Sequence, residues 1–118
     1  MLKWREKQVA KNKNLYMENS IDINIFISLL LIKKVESFRD SYSLTRVLEW
    51  KFKIINVVNL MNKLISQELI DVKNINQINY FEITSIGRKY VDENLLIGKE
   101  LMLKKYHNEE SFIRSLFE

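Results

Sequence analysis

The chain contains no cysteine, no proline, one histidine and two glycines among its 118 residues. Without cysteine there is no disulfide, no thiolate nucleophile and no Cys-based zinc site, and His107 alone cannot build a His-rich metal or catalytic cluster. A Gly-rich phosphate loop is also missing. A catalytic triad would need His107 beside a serine and an acid of the C-terminal region, and no spacing supports one. The carboxylate pairs Asp92-Glu93 and Glu109-Glu110 fall at helix ends, where dipole or capping roles explain them better than acid/base work. The chain is therefore expected not to be an enzyme and to need neither cofactor nor metal. The longest apolar stretch, Ile25 to Ile32, is interrupted by Ser28 and is far short of the roughly 18 to 20 residues that cross a bilayer. The basic start Met1-Leu2-Lys3-Trp4-Arg5 lacks an apolar run and a cleavage site, so no signal peptide is expected and a cytoplasmic setting is. Absent proline and scarce glycine, with abundant Lys, Asn and Ile, point to long helices and few tight turns.

What is present is a core-forming chain. A hydrophobic share of 47% with 29% charged residues is that of a folded domain rather than a disordered segment. The net charge of +4 is unevenly placed. Lys3, Arg5, Lys7, Lys11 and Lys13 face only Glu6 within the first fourteen residues, so the remainder is balanced. Inside it, residues 43 to 65 carry Arg46, Lys51, Lys53 and Lys63 against Glu49 alone. That cluster has two readings: a solvated helix face, or an electropositive binding surface.

Hydrophobic patterning divides the chain into a basic N-terminal helical segment (1–20), a central domain (21–94) and a C-terminal helical tail (95–118). From Asp22 to Phe38 the apolar residues are too dense for one stripe, which predicts a helix buried on more than one side, capped by Asp22 or Ser20. Ser43 is the expected N-cap of a short helix from Leu44 to about Trp50. A third helix is expected from Ile54 to about Gln67, with Ile54, Val57, Leu60 or Met61, and Leu64 inward. Leu69 to Val72 and Tyr80 to Thr84 read as the strands of a hairpin joined by a polar turn, Lys73 to Asn79. Thr84 or Ser85 then caps a helix from Ile86 to about Asn94. In the tail, Asn108 is the expected cap of a last helix whose apolar side is Phe112, Ile113, Leu116 and Phe117; so short a helix must pack on something. The fold class is mainly α with a small β-hairpin (α+β).

Two stretches within this order resemble the winged helix-turn-helix DNA-binding domains of bacterial transcriptional regulators. Leu64-Ile65-Ser66-Gln67-Glu68-Leu69-Ile70 is similar to the family's Leu-x-x-x-Gly-Leu-Ile. Tyr80-Phe81-Glu82-Ile83-Thr84-Ser85-Ile86-Gly87-Arg88 is similar to its Tyr-x-Leu-Thr-x-x-Gly-Arg/Lys. The second spacing has a physical reason: Ile83 turns to the core, Thr84 satisfies free N–H groups of the next helix, and Gly87 allows close approach. Glu68 stands where the family has Gly, which implies a different helix exit, and the wing loop holds one base, Lys73.

The resemblance implies a winged helix with N- and C-terminal helical extensions, its third helix in the major groove and its wing on flanking phosphates. Carried onto this chain, it places Lys51 and Lys53 for phosphate contact and Asn56 and Asn59 for base edges, because a carboxamide offers adenine a paired donor and acceptor. Lys63 lies further along the same face. Ser43, Thr45 and Arg46 would hydrogen-bond phosphate from the second helix, with Lys73 on the wing and Arg88 and Lys89 flanking. Trp4, Trp50 and Phe52 are candidates to line a ligand pocket, but Trp50 and Phe52 flank the second and third helices and read more simply as core or hinge packing. The expected partner is double-stranded DNA, bound by a homodimer joined through the tail and the first helix. Docking of the tail within its own chain is the alternative there. Other readings are a winged-helix adaptor that binds a protein through the tail, and a plasmid or phage replication protein.

Overall fold

The computed structural model describes residues 21–118; the expected basic N-terminal helix lies outside the described residues. Six α-helices and one hairpin follow in the order α1 (Ile23–Lys34), α2 (Ser41–Trp50), α3 (Val57–Ser66), β1 (Ile70–Ile75), β2 (Ile78–Ile83), α4 (Ser85–Glu93), α5 (Leu95–Lys105) and α6 (Glu110–Ser115), with 3-10 turns at Glu36–Phe38 and His107–Glu109. The described chain is mainly helical with a two-stranded antiparallel sheet.

Helix α1 is the axis of the core. Asp22 caps it, accepting the Asn24 and Ile25 N–H groups at 3.0 and 3.3 Å. Ile25 to Ile32 are all buried, as expected from their density, because α2, α3, α4, α5 and β2 all touch this helix. Ser28 joins that run without an unpaired hydroxyl, since its Oγ donates to the Asn24 carbonyl at 2.9 Å.

The tail completes the same core. Met102, Ile113 and Leu116 are buried in one cluster with α1. Gly98 of α5 lies against Phe26, whose ring stacks on Phe117 at 6.3 Å between centroids. Phe52, between α2 and α3, meets Tyr106 edge-on at 5.0 Å and Phe112 at 6.2 Å. Phe26 and Phe52, the buried rings among these, each contribute about 1.5–3 kcal/mol. The apolar side expected to join two chains is thus seated within its own chain.

Helix α2 begins earlier than the Ser43 cap would place it. Asp40 is the cap and accepts the Ser43 N–H at 2.9 Å. The preceding segment is pinned to the hairpin: Asp40 pairs with Tyr80 as an isolated antiparallel bridge, and the Phe81 N–H donates to the Arg39 carbonyl at 2.8 Å. Helix α3 begins later than expected, at Val57, with Asn56 as its cap. Ile54 is buried, as its spacing suggested, but in the connection rather than in the helix.

The exit of α3 keeps the geometry that glycine usually supplies. Glu68 has φ +61°, its N–H reaches the Ile65 carbonyl at 3.0 Å, and the Leu69 N–H reaches the Leu64 carbonyl at 2.9 Å. This is a Schellman motif with a glutamate in the left-handed position. The different exit expected from Glu68 is not adopted, because closing the last carbonyls outweighs the cost of the conformation. The hairpin strands are longer than expected and meet at a two-residue turn, Asn76–Gln77, with φ +53° and +68° and with Ile75 opposite Ile78. Both central residues having positive φ marks a turn whose twist suits paired strands. Asp71 to Asn79 are exposed, so the hairpin projects from the body.

Thr84 ties hairpin to α4. Its Oγ1 accepts the Gly87 N–H at 3.0 Å and donates to the Glu68 carbonyl at 2.6 Å. A Cβ on Gly87 would overlap the Leu69 carbonyl oxygen, so this contact needs glycine. The last helix starts at Glu110 after the 3-10 turn and has no side-chain cap, in place of the start expected from Asn108.

Candidate functional site

Helix α3 presents a narrow outward ridge. Val57, Leu60, Met61 and Leu64 face the core, leaving Asn59, Asn62 and Ser66 at the crest. Val58 and Ile65, 73% and 42% exposed, form one flank. Lys63 forms the other, where its ammonium lies 3.4 Å from Asp22 Oδ2. Both partners are largely exposed, so the pair is worth under about 1 kcal/mol and leaves Lys63 able to exchange partners.

On the Lys63 side, the N-terminal ends of α1 and α3 and the last turn of α5 enclose a cleft of about 430 Å³. Lys53, Asn56, Asn59 and Lys63, four of the residues expected at a binding face, line it together. Their roles differ. Asn56 Oδ1 accepts the Asn59 N–H at 3.0 Å and so caps α3, which fixes the carboxamide expected to read a base. Lys53 sits at φ +57° in the α2–α3 connection and donates to the Trp50 carbonyl at 2.8 Å. Asn59 stands at both the cleft and the crest. Asn62 takes the place beside it that Asn56 was expected to hold, since residues three apart share a helix face.

On the other flank, a groove of about 210 Å³ separates α3 from the hairpin and the start of α2. Ser41, Thr45, Val58, Asn62, Ile65 and Val72 are among its lining residues, and none of the described lining residues is charged. Thr45 therefore faces the groove, while Ser43 is half-buried with its N–H already bonded to Asp40.

The remaining expected residues are distributed elsewhere. Arg46 lies on the exposed side of α2, its guanidinium 4.5 Å from the Trp50 ring centroid and 5.6 Å from that of Tyr42. Lys51 pairs with Glu109 at 3.3 Å and lies 4.9 Å over the Phe112 ring, so it fastens the tail. Lys73 pairs with Glu82 on the adjoining strand at 3.0 Å. Lys89 faces Glu93 at 3.9 Å along α4. Arg88 lines a separate hollow of about 220 Å³ with Arg39, Glu82 and Ile83. Lys105, far from α3 in sequence, is brought to the cleft by the fold; only tertiary structure could identify it.

Among the described residues, no group of three or more His, Asp and Glu side chains could hold a metal ion. No helix among them is long and apolar enough to cross a membrane. Tyr90, on α4, is half-buried against the start of α1. Burial raises its phenol above the ordinary value of 10.0; a hydrogen bond with the Asp22 backbone acts in the opposite sense, and the Asp22 carboxylate adds to the rise. The residue supports the start of α1, accepting the Asp22 N–H at 3.2 Å. Comparison with known proteins returns no family model, no curated protein and no solved structure that matches the chain.

Proposed function

We propose that the protein is a small transcriptional regulator of the winged helix-turn-helix kind that binds double-stranded DNA sequence-specifically, without enzymatic activity, in the cytoplasm. The observation that carries this reading is the α3 ridge of Asn59, Asn62 and Ser66 beside a projecting hairpin, with Lys53 and Lys63 at one edge. The Asp40–Tyr80 bridge ties the start of α2 to that hairpin, so the three elements stand in fixed relation. Asn59 and Asn62 read base edges, Val58 and Ile65 meet thymine methyl groups, and Lys53 and Lys63 neutralise phosphates. Lys51 and Lys89 are paired with Glu109 and Glu93. Two copies occupy a palindromic site, each with its tail seated in its own chain.

Polarisation of a labelled random duplex against salt tests this. With two to four phosphates neutralised, log K should fall with log salt at a slope of about −2 to −4. Lys53→Glu with Lys63→Glu should flatten the slope; an absent or salt-independent interaction contradicts the reading. The uncharged groove between α3 and the hairpin favours a second reading, an adaptor that seats a protein segment there. That reading requires partner binding that survives high salt and is lost in Val58→Asp.

A further inference from the structure

The cleft at the N-terminal ends of α1 and α3 holds more chemistry than a DNA-reading ridge requires. Its ammonium groups come from three elements: Lys53 from the α2–α3 connection, Lys63 from α3 and Lys105 from the last turn of α5. Among the described residues, Asp22 is the only carboxylate lining it. One Asp22 oxygen caps α1 and the other faces Lys63, which leaves Lys53 and Lys105 facing no carboxylate of the described residues in the cleft. Two helix N-termini, of twelve and ten residues, open on the same space, and both favour negative charge. The C-terminal end of α5 opposes them, but Lys104 and Lys105 occupy its last turn.

Asn24 also lines the cleft; its Oδ1 is closed off from solvent without a hydrogen-bond partner while the residue as a whole is half-buried, so the ligand contacts come from the lysines rather than from that oxygen.

We propose that this cleft is an anion site that binds the phosphoryl groups of a small phosphorylated molecule of nucleotide size. A volume of about 430 Å³ exceeds what one phosphate fills and lies within the range of small-molecule sites. Tyr106 and Ile55, also on its wall, provide apolar surface for the remainder of the ligand. Because the cleft joins α5 to the start of α3, occupancy stiffens the connection that carries Lys53. The proposal does not depend on DNA binding, although a backbone phosphate of DNA offers the same chemistry.

The test titrates inorganic pyrophosphate, then ATP, into the full chain at low ionic strength, followed by amide NMR and calorimetry. Saturable binding is expected, with shifts confined to Asp22, Asn24, residues 53–60, Lys63, Lys105 and Tyr106. Lys105→Gln should weaken it about tenfold, while Lys104→Gln, which does not line the cleft, leaves it unchanged. Lys53→Gly should bind correspondingly less while being at least as heat-stable as the parent, because glycine suits φ +57°. No binding at millimolar pyrophosphate, or equal losses in Lys104→Gln and Lys105→Gln, overturns the proposal. A duplex added last separates the sources. Displacement of pyrophosphate by DNA assigns the cleft to a backbone phosphate, and simultaneous binding, or no DNA binding at all, assigns it to a free ligand.

Discussion

Glu68→Gly should make the protein more stable, and the reason lies in one backbone angle. Glu68 occupies the left-handed region at φ +61°, where a side chain costs about 1–2 kcal/mol relative to glycine. Glycine gives back part of this through the greater freedom of its unfolded chain, about 0.4–1 kcal/mol. The side chain itself is exposed and forms no ion pair among the described residues, while the hydrogen bonds at this site belong to the backbone. The net expectation is a gain of about 0.5–1 kcal/mol, seen as a rise in Tm of about 3–5 °C. Gln67→Gly is the control: at φ −91° glycine relieves nothing and should cost about 0.5–1 kcal/mol. Urea unfolding followed by circular dichroism measures both. A loss of stability in Glu68→Gly, or equal effects at the two positions, would refute the helix exit described above.

Gly98→Ala should destabilise the protein by about 1–3 kcal/mol, because the new methyl overlaps the buried Phe26 ring that carries Phe117; an unchanged urea midpoint would show that the tail does not dock there. Stability should also decline in alkali through Tyr90. Its folded-state pKa is raised, so the folded form holds the proton more tightly; the contribution is complete below the unfolded value of about 10 and is lost as pH rises through the folded one. Urea midpoints at rising alkaline pH should fall less steeply in Tyr90→Phe, and a decline of the same steepness would remove Tyr90 from the account.

Periodicity made most elements legible. The dense run in α1 and the inward residues of α3 are buried as their spacing required, and Thr84 caps α4 in the stretch that pointed to it. Boundaries were less legible where local signals compete. Ser43 is a good capping residue, but the bridge between Asp40 and Tyr80 fixes the chain one turn earlier, and no local pattern encodes that pairing. Ile54 and Ile55 extend the apparent repeat of α3, yet Asn56 interrupts it by folding its side chain onto the Asn59 N–H. The tight turn was hidden because Asn76-Gln77 lacks the glycine that usually announces one. The seat of the tail was undetermined for a more basic reason: an apolar stripe looks the same whether it covers its own core or a second copy. The candidate site divides likewise, since charge clustering located Lys53 and Lys63, whereas Lys105 and Asn24 reach the cleft only through packing.

The central claim is that the α3 ridge distinguishes base sequences, and selection from a random duplex pool tests it most directly. Recovered fragments should share an enriched motif rich in A·T pairs opposite the carboxamides. The Asn59→Ala/Asn62→Ala protein should still retain duplex through its lysines but recover no common motif. A pool that shows no enrichment with the parent protein, or the same motif with the double variant, would contradict it.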